Sequence, residues 1–161
     1  MQGKAPREPS VVSRPVPGHA IPTAVSMSES IHDPLRRSLS GPAAIHEAVA
    51  ASRSFAATFE IPEADAARLA IIVEELVTNL YDHGGLGPDD TFEIELSATA
   101  IDIRLVLLDS GKPFHPLAAA RDRKTPARGG GAGLKLVRAW ATSADYRSID
   151  GVNRLAVSLP R

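Results

Sequence analysis

One apolar stripe constrains this chain more than any other feature of its sequence. Between Leu69 and Tyr81, positions 69, 72, 73, 76 and 80 are Leu, Ile, Val, Leu and Leu, a helical recurrence that marks one buried face. Glu75, Asn79 and His83 step by four and share a second face of that helix. At about 100° per residue, this polar row sits on the shoulder of the stripe, roughly 40–120° from its centre. A carboxylate, an amide and an imidazole at the margin of a core suit a lined pocket better than an open surface. Spacing by itself favours the plainer reading, a helix with a polar border.

The flanking segments organise around this helix. It is expected to run from about Glu63 to His83, with Gly84-Gly85 as its stop. Before it, Ile45, Val49, Ser52, Phe55 and Phe59 form an amphipathic pattern over 43–59, with Pro42 near the start and Ile61-Pro62 ending it. Leu35–Ser40 reads as a short edge strand. Residues 1–33 are expected to be a disordered tail, because Pro6, Pro9, Pro15, Pro17 and Pro22 leave no periodic apolar pattern between them. The domain is then 34–161.

After the helices the period changes to two. Thr91–Ala98 and Ile101–Leu108 carry β-branched and alternating apolar residues with only Thr99-Ala100 between them, which predicts an antiparallel hairpin. Asp109-Ser110-Gly111 closes its second strand. A long polar loop follows over 115–131, with Arg121, Asp122, Arg123, Lys124 and Arg128; such loops are usually functional lids or disordered. Leu134–Ala141 is expected to be a helix opened by glycines. Ala144–Ile149 and Val152–Leu159, joined by Asp150-Gly151, form a second hairpin. Segregated helices and paired strands predict an α+β fold: a two-layer sandwich with helices on one face of a mixed, mostly antiparallel sheet.

Composition removes several function classes. The 161 residues carry a net charge of −1 with 23% charged side chains, so neither a dedicated nucleic-acid surface nor an acidic tail is indicated. There is no cysteine, hence no disulfide and no thiolate metal site. No run approaches the ~20 apolar residues of a membrane span, and no apolar signal segment is seen near the start. A soluble, cytoplasmic protein without a membrane partner is expected.

Three polar or glycine-rich stations carry the candidate chemistry. The first is the row Glu75, Asn79, His83. The second is Asp109-Ser110-Gly111-Lys112-Pro113-Phe114 at a strand end. An aspartate there can accept a hydrogen bond from an exocyclic amine, and Gly111 leaves room for close backbone approach; an ordinary Asp-Ser-Gly turn fits equally well. The third is Gly129-Gly130-Gly131-Ala132-Gly133 entering a helix, where N–H groups can cradle phosphate; a flexible hinge is the alternative. It is not a P-loop, because no Gly-x-x-x-x-Gly-Lys-Ser/Thr is present, and not a dinucleotide fingerprint, because Leu134 and Leu136 stand where the third glycine would be needed. His46-Glu47 and His32-Asp33 lack metal-ligand spacing.

Together the stations resemble the Bergerat (GHKL) ATPase domain shared by gyrase, the ninety-kilodalton heat-shock chaperone, histidine kinases and MutL. The resemblance is closer to the anti-sigma-factor serine kinase branch. Its helix motif Glu-x-x-x-Asn-x-x-x-His matches Glu75, Asn79 and His83, its Asp-x-Gly-x-Pro-Phe box matches Asp109 through Phe114, and its Gly-Gly-x-Gly-Leu-x-Leu-Val lid end matches Gly130 through Val137. Tyr146 and Gly151 to Leu155 resemble the branch's final hairpin. The likeness covers about residues 40–160.

This resemblance implies ATP and Mg²⁺ as cofactors. Asn79 would hold Mg²⁺ against the phosphates, Asp109 would bind the adenine amino group, and Gly111 would pack near the base. Gly131 and Gly133 would bring backbone to the phosphates, and Glu75 would act as general base toward a serine hydroxyl. His83 would either secure the helix end or approach phosphate. The implied function is an anti-sigma factor and serine-protein kinase that sequesters a sigma factor and phosphorylates an anti-anti-sigma antagonist, possible as a homodimer. The alternatives are a non-catalytic ATP-binding module and a histidine kinase catalytic domain; for the latter, the chain before Glu75 is too short. One departure stands out. The strand Val152–Leu159 has no threonine where many relatives place one beside the adenine-binding Asp, so water or Asn153 would substitute.

Overall fold

The two periodicities separate into two layers. The computed structural model describes residues 33–115 and 132–161. The expected tail and the basic lid loop, with Gly131, lie outside the described residues. In chain order the elements are β1 (Leu35–Ser40), α1 (Ala44–Thr58), α2 (Glu63–Asp82), β2 (Thr91–Ala98), β3 (Asp102–Asp109), α3 (Ala132–Trp140), β4 (Ser143–Ile149) and β5 (Val152–Pro160). The strands form one sheet in the order β1-β2-β3-β5-β4, and every neighbouring pair is antiparallel. The α+β sandwich is as expected, and all the pairings seen are antiparallel.

The apolar stripe of α2 is the centre of the core. Leu69, Ile72, Val73 and Leu76 are buried against the inner sheet face. That face is built from alternate residues: Phe92, Ile94 and Leu96 from β2, Ile103, Leu105 and Leu107 from β3, and Leu155, Val157 and Leu159 from β5. Each fully buried side chain of this kind contributes roughly 1.5–3 kcal/mol, so this interface dominates the stability of the domain. On the outer face Arg36 meets Glu95 at 2.8 Å across β1 and β2, an exposed pair of small energetic weight.

Two local details differ from the sequence reading. The buried face of α1 is formed by Ala44, Ala48, Ser52 and Phe55, while Ile45 and Val49 are only half-buried. Small side chains at the tightest contact let α1 approach its neighbours closely, and the larger aliphatics fill the rim. The strand β3 also extends through Asp109, because that residue still pairs with Phe92 on one side and Asn153 on the other. The tight turn between β4 and β5 uses Asp150 (φ 52°) and Gly151 (φ 79°), the left-handed pair that a two-residue hairpin needs.

Candidate functional site

The period of two carries the inner rows of the sheet past the core to one end, where they become polar. Counting on from Leu105 and Leu107 gives Asp109; counting back from Leu155 gives Asn153. These two residues are register partners on β3 and β5. The end of α2 lies across the same edge. Asn79, Gly84, Asp109, Lys112, Phe114 and Asn153 line one cleft there, over an apolar floor of Leu76, Leu80 and Leu155 with Tyr146 beside it.

Asn79 is 6% exposed. Its Nδ2 donates to the backbone carbonyl of Glu75, one turn earlier. A carbonyl can only accept, so this bond fixes the amide and leaves Oδ1 as the open group, without a partner among the described residues. Glu75 is half-buried, does not line the described cleft, and its carboxylate makes no bond to the described residues. His83 caps α2, its N–H bonded to Asn79 O at 3.0 Å, and its ring lies 5.1 Å from that of Phe114. It therefore touches the cleft through Phe114. Tyr81, within the same motif, faces the core: its ring meets the edge of Phe92 at 6.4 Å. Burial, with the charge of Asp90 second, raises its hydroxyl pKa.

Asp109 is held by its surroundings. Its Oδ1 accepts from Gly111 N–H at 2.9 Å and from Asn153 Nδ2 at 2.8 Å. Its Oδ2 has no partner among the described residues. Gly111 packs tightly against the protein itself. A Cβ there would lie 2.5 Å from both Gly84 O and Leu86 Cδ1, and 3.0 Å from Asp109 Oδ1. The close approach is to the protein's own turn after α2, which Lys112 N–H also grips through Gly84 O at 2.7 Å. Gly111→Ala is accordingly expected to cost on the order of 1–3 kcal/mol of stability by overpacking, measurable by denaturant unfolding. Unchanged stability would show that the Gly84–Leu86 turn yields.

Gly133 is the second residue of α3, and the remaining glycines of that station lie outside the described residues. Sequence reasoning placed Asn79 and Asp109 at the site and offered Asn153 only as a substitute. It read Gly84 only as part of the helix stop and gave Lys112 no role of its own. The signal for Asn153 was present in the alternation, since a polar residue stands where the inner row of β5 would otherwise continue.

The donor set fits an adenine nucleotide with a hard cation: one oriented amide oxygen and one carboxylate oxygen, both without partners among the described residues, lining the same cleft. No group of three or more His, Cys, Asp or Glu gathers to hold a metal among the described residues, so a cation here would take most of its oxygens from the ligand. Among the described residues, no helix is long and apolar enough to cross a membrane.

No curated protein matches the sequence. Among solved structures, a chain of the SiaB–SiaC complex from Pseudomonas aeruginosa shares the fold, with a TM-score of 0.54 at 13% identity over 79% of this chain and 89% of that one. The family model of the histidine kinase-like ATPase domain matches residues 40–159, a span that holds the three helices, the whole cleft and strands β2 to β5 up to Leu159, with β1 almost wholly outside it. By that match, this chain belongs to the histidine kinase-like ATPase domain family.

Proposed function

We propose that this protein binds Mg·ATP in the cleft and acts as an anti-sigma factor and protein serine kinase, holding a sigma factor and phosphorylating an antagonist protein. The observation that carries the reading is the meeting of Asn79 and Asp109, from two separate motifs, on a single cleft. Asp109 Oδ2 would accept from the exocyclic amine of the base, and Asn79 Oδ1 would supply a neutral oxygen to Mg²⁺. Bound Mg·ATP supplies the phosphoryl group and neutralises its charge, so the protein's share is positioning and proton removal. Glu75, about 6 Å back along the helix axis from Asn79, would take the proton of the serine hydroxyl. Gly133, the second residue of α3, and Gly131, two residues before it in the sequence, would present backbone N–H groups to phosphate. Between the described walls the cleft leaves about 20 Å³, roughly the room of one water, so a base would enter only as lining side chains move aside.

The partner role is supported by the fold likeness to a structure whose two components, SiaB and SiaC, are proteins in complex. A second reading, an ATP-binding module that only sequesters its partner, is favoured by one observation: no bond to the described residues orients the Glu75 carboxylate.

Calorimetry with ATP, with and without Mg²⁺, tests the core of the proposal. Wild-type protein should bind ATP more tightly with Mg²⁺ present. Asn79→Ala should bind ATP with the same affinity whether or not Mg²⁺ is added. Retained Mg²⁺ dependence in that variant would remove Asn79 from the metal site.

A further inference from the structure

We infer that Tyr146 and Asn153 are positioning residues that make the site select a base bearing an exocyclic amine over one bearing a carbonyl; the inference rests on the reading of Asp109 as the base-binding carboxylate. Asn153 is 2% exposed and makes three hydrogen bonds. Its Nδ2 donates to Asp109 Oδ1 at 2.8 Å and to Gly111 O at 3.0 Å, and its Oδ1 accepts from the Tyr146 hydroxyl at 3.0 Å. That hydroxyl in turn accepts from Phe114 N–H at 2.9 Å.

Every link in this chain has one possible direction. A backbone N–H can only donate, so the Tyr146 oxygen receives from Phe114 and sends its own proton to Asn153. Gly111 O and a carboxylate can only accept, so the amide must turn its NH₂ toward both. With both amide protons committed, Asn153 has no donor left for a base carbonyl. With Oδ1 of Asp109 taken twice, Oδ2 is the remaining acceptor. An acceptor held in a fixed direction rewards a ring amine and repels a ring carbonyl. The same network ties the backbone of Phe114 to the base-recognising carboxylate. The stacking of His115 on Tyr146, 5.0 Å between centroids and 26° between planes, keeps the phenol in line.

Titration with Mg·ATP and with Mg·inosine triphosphate tests this, because the two differ at the exocyclic group and share their phosphates. Wild-type protein should prefer ATP. Tyr146→Phe keeps the ring and its stacking and removes one link; the preference should fall by about 2- to 12-fold, the range of one net hydrogen bond. Asn153→Ala should cut it about 10-fold or more, with inosine triphosphate affinity changed by less than about 2-fold. Asn153→Thr, which restores a hydroxyl donor, should recover part of the preference. Should Asn153→Ala fail to fold, Tyr146→Phe carries the test. A wild type that prefers ATP alongside variants that keep the full preference, even with lowered melting temperatures, would reduce the pair to a structural role and overturn the inference. A wild type that binds both nucleotides equally would remove the Asp109 reading itself.

Discussion

Asp109→Asn is expected to weaken ATP binding by about 10- to 150-fold while leaving the fold intact. The magnitude follows from losing a hydrogen bond to a charged acceptor, on the order of 1.5–3 kcal/mol. The selectivity follows from the surroundings of the carboxylate. Gly111 N–H and Asn153 Nδ2 both donate to Oδ1, so an asparagine at 109 would place its own Oδ1 toward them and keep both bonds. Its NH₂ would then occupy the position of Oδ2 and face the amine of the base, donor against donor. Stability should change by less than about 1 kcal/mol, because volume and both structural bonds are retained. Isothermal calorimetry reads the affinity and denaturant unfolding reads the stability. Equal ATP affinity in variant and wild type would take the base away from Asp109.

That Asp109 and Asn79 would line one cleft was legible through the family resemblance of their two motifs, and the reasons are local. A four-residue step on a helix and an Asp-x-Gly at a strand end are short-range patterns, and each survives in the fold as read. So does the Asp150-Gly151 turn, whose left-handed backbone is set by two residues. Sheet order is another matter. β5 lies between β3 and β4 because Asp102 pairs with Pro160 and Asp109 with Asn153, contacts that no local period encodes. The role of Gly111 was hidden for the same reason. Its neighbour, Gly84, is distant in sequence, so the reading of close ligand approach found the requirement for glycine without this packing contact. The buried face of α1 was misplaced because hydrophobicity marks large side chains, whereas close helix contact selects alanine. Tyr146 and Asn153 were visible as residues, but their coupling depends on a hydroxyl and an amide meeting across a hairpin with Phe114 above them.

The largest effect expected of any single substitution is that of Glu75→Gln on phosphoryl transfer to a protein serine: a fall of about 10²- to 10⁴-fold, the contribution typical of a positioned general base. Glutamine preserves side-chain length and helix propensity, so α2 should persist. The bond that orients Asn79 goes to the backbone carbonyl of residue 75, which the substitution leaves in place. Glu75 does not line the described cleft, so ATP affinity should be unchanged, and this separates proton removal from nucleotide binding. Transfer of labelled phosphate from ATP to an antagonist protein gives the rate, and calorimetry on the same sample gives the affinity. Equal rates in variant and wild type would assign the proton to another group. A drop in affinity would place the carboxylate against the nucleotide. A wild type that binds ATP yet labels no antagonist would leave the sequestering module as the function, because the cleft would then be complete without a base.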